Sequence, residues 1–248
     1  MTRARLARGS ERSTAEAAAA ADPSGIPALS SLVQMQGRDI TRVERDLRSY
    51  LHRRGEFPQS HRLAIWRFLL RLPSNTEAFA ELEAAGTHPS ASDILARYPI
   101  KDGRLARRLV KVCSCLAHWQ PVLGEVPYLP LLAFPFVAAF GPGQALPAFE
   151  TVATFLMSWA GSWLELFPHA PLGTLAACEQ ALEQTDPELS AHLRRMHCPA
   201  TRWAWPLLRS VLSEVLPRPH WGRLMDHLIA RGRDAALLPA AAVAYVRS

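Results

Sequence analysis

The stretch whose reading decides the fold is His61-Arg62-Leu63-Ala64-Ile65-Trp66-Arg67-Phe68-Leu69-Leu70-Arg71-Leu72-Pro73. Leu63, Trp66, Leu69 and Leu70 recur at the three- and four-residue spacing that lines one face of an α-helix, behind Ser60 and ahead of Pro73, which cannot continue one. The same rhythm holds on both sides. Upstream, Ile40, Val43, Leu47, Tyr50 and Leu51 follow Asp39, a residue type that caps helix starts, until Gly55 breaks the pattern. Downstream, Ser74 and Glu77 have the capping-box spacing for a helix ending near Gly86.

Working further outward, Leu105, Leu109, Val112, Leu116 and Trp119 mark one face of a long helix that Pro121 ends. From Val122 to Phe140 the chain is almost wholly apolar, but Pro127, Pro130 and Pro135 rule out one continuous membrane-spanning helix, so buried, proline-broken helices are expected. Phe149, Val152, Phe155, Leu156, Trp159 and Trp163 give an amphipathic helix with Glu150 and Glu165 at polar positions, closed by Phe167-Pro168. Short helices follow over Leu172–Leu182, Leu189–Met196 behind the Asp186-Pro187 start signal, Trp203–Leu216 and Trp221–Ile229. Met1 to Gly25 carries Arg3, Arg5, Arg8 and Arg12 without apolar periodicity; Glu11 and Glu16 argue against a transit peptide, and a disordered tail is expected over residues 1–38.

Composition agrees with an all-α fold. The 248 residues are 49% apolar, enough for a sizeable core, with 20 prolines against 13 glycines: helices punctuated by proline, not strands joined by glycine turns. The net charge of +6 is spread along helices whose arginines alternate with apolar residues, which describes a solvated helix face better than a nucleic-acid stripe. Cys113, Cys115, Cys178 and Cys198 form no disulfide framework, and a reducing, cytoplasmic setting is expected. Cys113, Cys115 and His118 do not make a metal site, because on one helix the two cysteines point about 200° apart. His197-Cys198 lacks a third, orienting group for nucleophilic chemistry. The tryptophans fall beside leucines and read as core, and no nucleotide-binding glycine pattern is present, so no cofactor is expected.

The stretch His61–Pro73 resembles the first motif of the TBC domains of Rab GTPase-activating proteins: a basic residue, a tryptophan and a leucine pair, then arginine and proline. The runs Pro121–Phe136, Phe149–Pro168 and Trp205-Pro206-Leu207-Leu208 with Leu216 and Trp221 resemble one divergent branch, the WD-repeat-bearing TBC proteins of centrosomes and cilia. The likeness spans roughly residues 40–245, which puts a TBC-like helical domain over 39–248.

The resemblance implies a helical bundle whose groove clamps a GTP-bound Rab GTPase, with no nucleic acid and no direct membrane insertion, in the cytoplasm or at the centrosome, basal body or cilium. Typical members supply an arginine from I-x-x-D-x-x-R, which stabilises charge on the transferring phosphoryl group, and a glutamine from Y-x-Q, which orients the attacking water. An arginine finger is worth about 10³–10⁵ in rate. Asp93 matches the family aspartate, so the arginine position is Ala96, with Arg97 one step, or about 100° of helix, away. Aligning Pro121 and Gly124 with N-P-x-x-G-Y-x-Q puts Glu125 at the tyrosine and Pro127 at the glutamine; Gln120 is out of register. Proline offers no donor. The resemblance thus implies a domain without its standard fingers, binding a small GTPase or trafficking partner as a non-catalytic scaffold or adaptor through contacts at Asp93, Arg97 and Tyr128. The alternative it leaves open is an active GTPase activator using Arg97 or the GTPase's own glutamine.

Overall fold

The computed structural model describes residues 38–232, 234 and 236–248; the tail expected over 1–38 lies almost wholly outside them. Among the described residues the chain is all α-helical, without a strand. The first helix, α1, runs Arg38–Arg54, so Asp39 lies inside it and is not its cap; helix ends commonly shift by a residue. Helix α2 spans Arg62–Leu69 and α3 Thr76–Ala84. The α3 cap is Asn75, not Ser74: Asn75 accepts from the Ala78 N–H at 3.0 Å, while Ser74 sits at φ 54° outside the helix. A single 3₁₀ turn, Pro89–Ala91, leads to the short α4, Ile94–Arg97.

Helix α5, Gly103–Trp119, is the central element and packs against α3 and, further along, α7 (Leu129–Ala139) and α8 (Ala145–Trp159). Its six consecutive residues Val112 to Ala117 are all buried, which explains how Cys113 and Cys115 on opposite faces both lie inside. Burial pushes the Cys115 thiol up to about 11, far from the reactive range. Asp102 caps α5, accepting from the Arg104 and Leu105 N–H groups. The apolar run after Pro121 forms α6, Pro121–Glu125, and then α7, with Pro130 in its first turn and Pro135 in its interior.

Three further expectations needed correction. The helix through Trp163 is two, α8 and α9 (Gly161–Glu165), broken at Ala160 ahead of Gly161, a poor helix former. Glu150 is no surface position: it is 5% exposed and accepts from the Asn75 N–H at 2.8 Å, holding α3 to α8. After α10 (Leu172–Thr185) and α11 (Pro187–Arg195, capped by Asp186), the stretch Trp203–Leu216 is also divided, into α12 (Ala200–Trp203) and α13 (Trp205–Arg209). Val211 and Leu212 then adopt φ 52° and 57°, unusual for such side chains, in a turn closed by the Trp221 indole donating to Val211 O at 3.0 Å. Two last helices are α14, Arg218–Ala230, and α15, Leu237–Arg247, the latter unmarked by periodicity.

Two features join distant parts of the chain. The first is a buried clasp between α2 and α14. Asp226, 0% exposed, accepts from Arg62 Nε at 3.0 Å, Trp66 Nε1 at 2.7 Å and the Phe57 N–H at 2.9 Å. Burial pushes its carboxyl up and these donors pull it back. Arg62 also donates to Phe57 O at 3.1 Å, and Gly222 leaves it room, since a Cβ there would lie 3.1 Å from its Nη1. The motif's basic residue and tryptophan thus share one carboxylate. The second is an aromatic ladder running Trp66, Trp221, Phe136, Phe155, Trp163, Trp205 and Tyr128, each ring centroid 5.1–6.4 Å from the next. Such edge and tilted contacts add to area burial.

Candidate functional site

The two segments matched to the family's fingers converge. On one side, Ile94 anchors α4 at 0% exposure, while Leu95 and Ala96 face solvent. Asp93 precedes the helix without capping it; its carboxylate instead accepts from Arg97 Nη2 at 2.5 Å, one turn on. That bond holds the Arg97 guanidinium above its already high pKa. Both side chains are about half exposed, so water screens the pair.

On the other side, α6 brings Gly124 against His88: a Cβ at Gly124 would lie 2.9 Å from His88 Cε1, so a larger residue there would push the imidazole aside. His88 is held in turn by the Ser90 N–H donating to its Nδ1 at 3.2 Å. Beyond Gly124, Glu125 and Pro127 are exposed at the surface. Tyr128 is not. It is 9% exposed, its ring meets Trp205 edge-on at 5.1 Å, and burial pushes its phenol up to about 12. Tyr128, expected as a partner contact, is the last rung of the aromatic ladder and props the segment from behind.

Between these walls lies a cleft of about 340 Å³ bordered by Asp93, Arg97, Gly124, Glu125 and Pro127. Asp93, Arg97 and Pro127 all border it. Ala96 is not among the lining residues; Arg97 is, without any shift of the helix. The cleft's charged side chains are two carboxylates and one guanidinium already bonded to one of them, a poor setting for a phosphoryl group gathering negative charge. Pro127 presents no polar side-chain atom to orient a water. Sequence reasoning missed His88 as the support of this wall, for nothing in the local pattern ties it to Gly124.

The helices match the Ypt/Rab-GAP domain of Gyp1p with a TM-score of 0.62, over 79% of this chain and 76% of that one, at 17% identity. The fold is that of a Rab-GAP domain. Sequence relatives narrow the class: the chain is 40% identical over 195 residues to TBC1 domain family member 31 of Mus musculus, 42% over 176 residues to that of Homo sapiens and 42% over 194 residues to that of Xenopus tropicalis. These alignments take in 79%, 71% and 78% of the chain. The chain carries a TBC domain. It spans less than a fifth of the length of these relatives, 19%, 16% and 18%. No family model matches it.

Proposed function

We propose that this TBC domain binds a GTP-bound Rab GTPase and holds it without two-finger catalysis, as a scaffold or adaptor. The observation that carries this reading is the make-up of the cleft: it is bordered by Pro127, which the resemblance puts at the glutamine position, and not by Ala96, which it puts at the arginine position, and its one guanidinium is bonded to Asp93 among exposed carboxylates. Charge stabilisation and water positioning, together worth many orders of magnitude in rate, have no groups to supply them. Binding needs neither. In single-turnover GTP hydrolysis across a panel of Rab proteins, saturating chain leaves the rate within about tenfold of the intrinsic one, while GTP-locked forms of the cognate Rab are retained in a pull-down. A thousandfold acceleration overturns the proposal.

A second reading is favoured by the position of Arg97 on the cleft wall. Freed from Asp93 by an incoming GTPase, it serves as an offset finger with the partner's own glutamine, and the activity then disappears in Arg97→Ala. A cytoplasmic site of action at the centrosome, basal body or cilium belongs to the same proposal and rests on the resemblance to the WD-repeat-bearing branch. Among the described residues no helix is long and apolar enough to cross a membrane.

A further inference from the structure

On the opposite side of α4 from the finger cleft lies a larger groove, about 450 Å³, between the end of α3 and the outer face of α5. The two cavities share no lining residue. Val110 and Cys115 give the groove an apolar floor, and Leu95, 54% exposed, forms an apolar lip at the mouth. An apolar side chain left this bare on a soluble helix, beside an apolar concavity, marks a surface built to be covered.

Charge says what covers it. Arg104, Arg107 and Lys111 follow one another at three- and four-residue spacing along the exposed edge of α5, and all three face solvent. Lys111 pairs with Glu83 across the groove, whereas Arg104 and Arg107 make no ion pair with any described residue. Asp102, the carboxylate nearest in sequence, is engaged by the Arg104 and Leu105 N–H groups at the α5 N-terminus. Arg107 in the groove wall and Arg104 beside it therefore leave the rim with an excess of positive charge, of which Asp102 offsets the part at Arg104. No aromatic ring lines the groove, so a nucleobase has nothing to stack on. A second copy of a chain with net charge +6 would bring more positive charge to a positive rim.

We propose that this groove is a second docking site, for a partner segment that presents a bulky apolar side chain flanked by carboxylates. The apolar side chain fills the space between Leu95 and Val110, and the carboxylates meet Arg104 and Arg107. The site is independent of the finger cleft and stands whether or not the domain binds a Rab.

The test is fluorescence anisotropy on the full chain with the fluorescein-labelled peptide Glu-Asp-Leu-Phe-Asp-Glu. Controls are a peptide with lysine for each acid and one with Ala-Ala for Leu-Phe. The acidic apolar peptide binds at least about tenfold more tightly than either control. Leu95→Asp weakens it by about tenfold and Arg107→Glu by about fivefold, whereas Arg45→Glu, the same charge change on an exposed position of α1, weakens it by less than about twofold. Unchanged melting temperatures verify that these exposed substitutions leave the fold intact. The peptide at saturation leaves Rab pull-down unchanged. No saturable binding up to about 1 mM peptide overturns the proposal, as do equal losses from Arg107→Glu and Arg45→Glu, equal binding of the Ala-Ala peptide, or competition between peptide and Rab. Self-association abolished by Leu95→Asp in sedimentation also overturns it, in favour of a second copy.

Discussion

The clasp at α2 and the cleft at α4 both contain an arginine bonded to an aspartate, and little else about them is alike. In the clasp, Arg62 is 6% and Asp226 0% exposed, and every donor aimed at the carboxylate is itself fixed by a helix or by packing. In the cleft, Arg97 and Asp93 are neighbours on one helical turn, each about half exposed, with only the adjacent Tyr98 as a further partner of Arg97. The first pair holds together segments far apart in the chain; the second holds only itself. Removing one partner of a buried pair strands a charge away from water, whereas an exposed pair exchanges its bond for hydration. The motif residues at α2 are thus tied to folding and those at α4 and α6 are not, so the likeness at His61–Pro73 speaks for the fold and leaves catalysis to be read from the cleft.

The contrast is measurable. Asp226→Ala strands the Trp66 indole and the Phe57 N–H in the core and takes from Arg62 its buried carboxylate, leaving it Glu56, Gln59 and Phe57 O, at a cost of about 3–5 kcal/mol of unfolding free energy, read from urea denaturation. A loss below about 1 kcal/mol would remove the basis of the comparison. Trp66→Phe keeps an aromatic ring against Trp221 but deletes the indole N–H, leaving one acceptor site of Asp226 empty. Its cost is smaller, about 1–3 kcal/mol by the same measurement. Arg97→Ala breaks only a screened pair: stability changes by no more than about 1 kcal/mol, and a larger drop would give the cleft a structural role. Smallest of all, Ala96→Arg and Pro127→Gln shift stability by within about 0.5 kcal/mol. Neither alone makes an efficient GTPase activator, and the double variant exceeds the product of the single effects, because the two fingers act as one unit. Full activation from either single change, with Rab binding held constant, would mean that the cleft is already organised for catalysis.

Helix periodicity made α1, α2, α5 and α10 legible because each buries one stripe against a single side of the core. It failed where a helix changes direction in the interior. Nothing in Trp203–Leu216 announces that Val211 and Leu212 turn in left-handed backbone, because the compensation, burial and the bond from Trp221, comes from another helix. α15 was hidden by an alanine run that has no apolar stripe and by Pro239 in its first turn. At the site, residue types gave Asp93, Arg97 and Pro127 only through the resemblance. The burial of Tyr128 was unreadable, since its neighbour in the aromatic ladder belongs to a segment far along the chain. The Arg62–Asp226 pair was hidden for the same reason, its members lying 164 positions apart.

That separation also has a consequence in time. On a ribosome adding about 5–20 residues per second, the α2 stretch emerges on the order of 10–30 s before the aspartate that completes it. Throughout that interval the indole N–H and the Phe57 amide have only water or transient partners, the arginine has only its near neighbours Glu56, Gln59 and Phe57 O, and the surrounding apolar face stays open. The domain cannot close from its beginning; it closes when α14 arrives. Nascent chains released short of Asp226 should therefore be clients of chaperones that shield apolar surface, and a cut anywhere before α14 should yield no folded amino-terminal fragment.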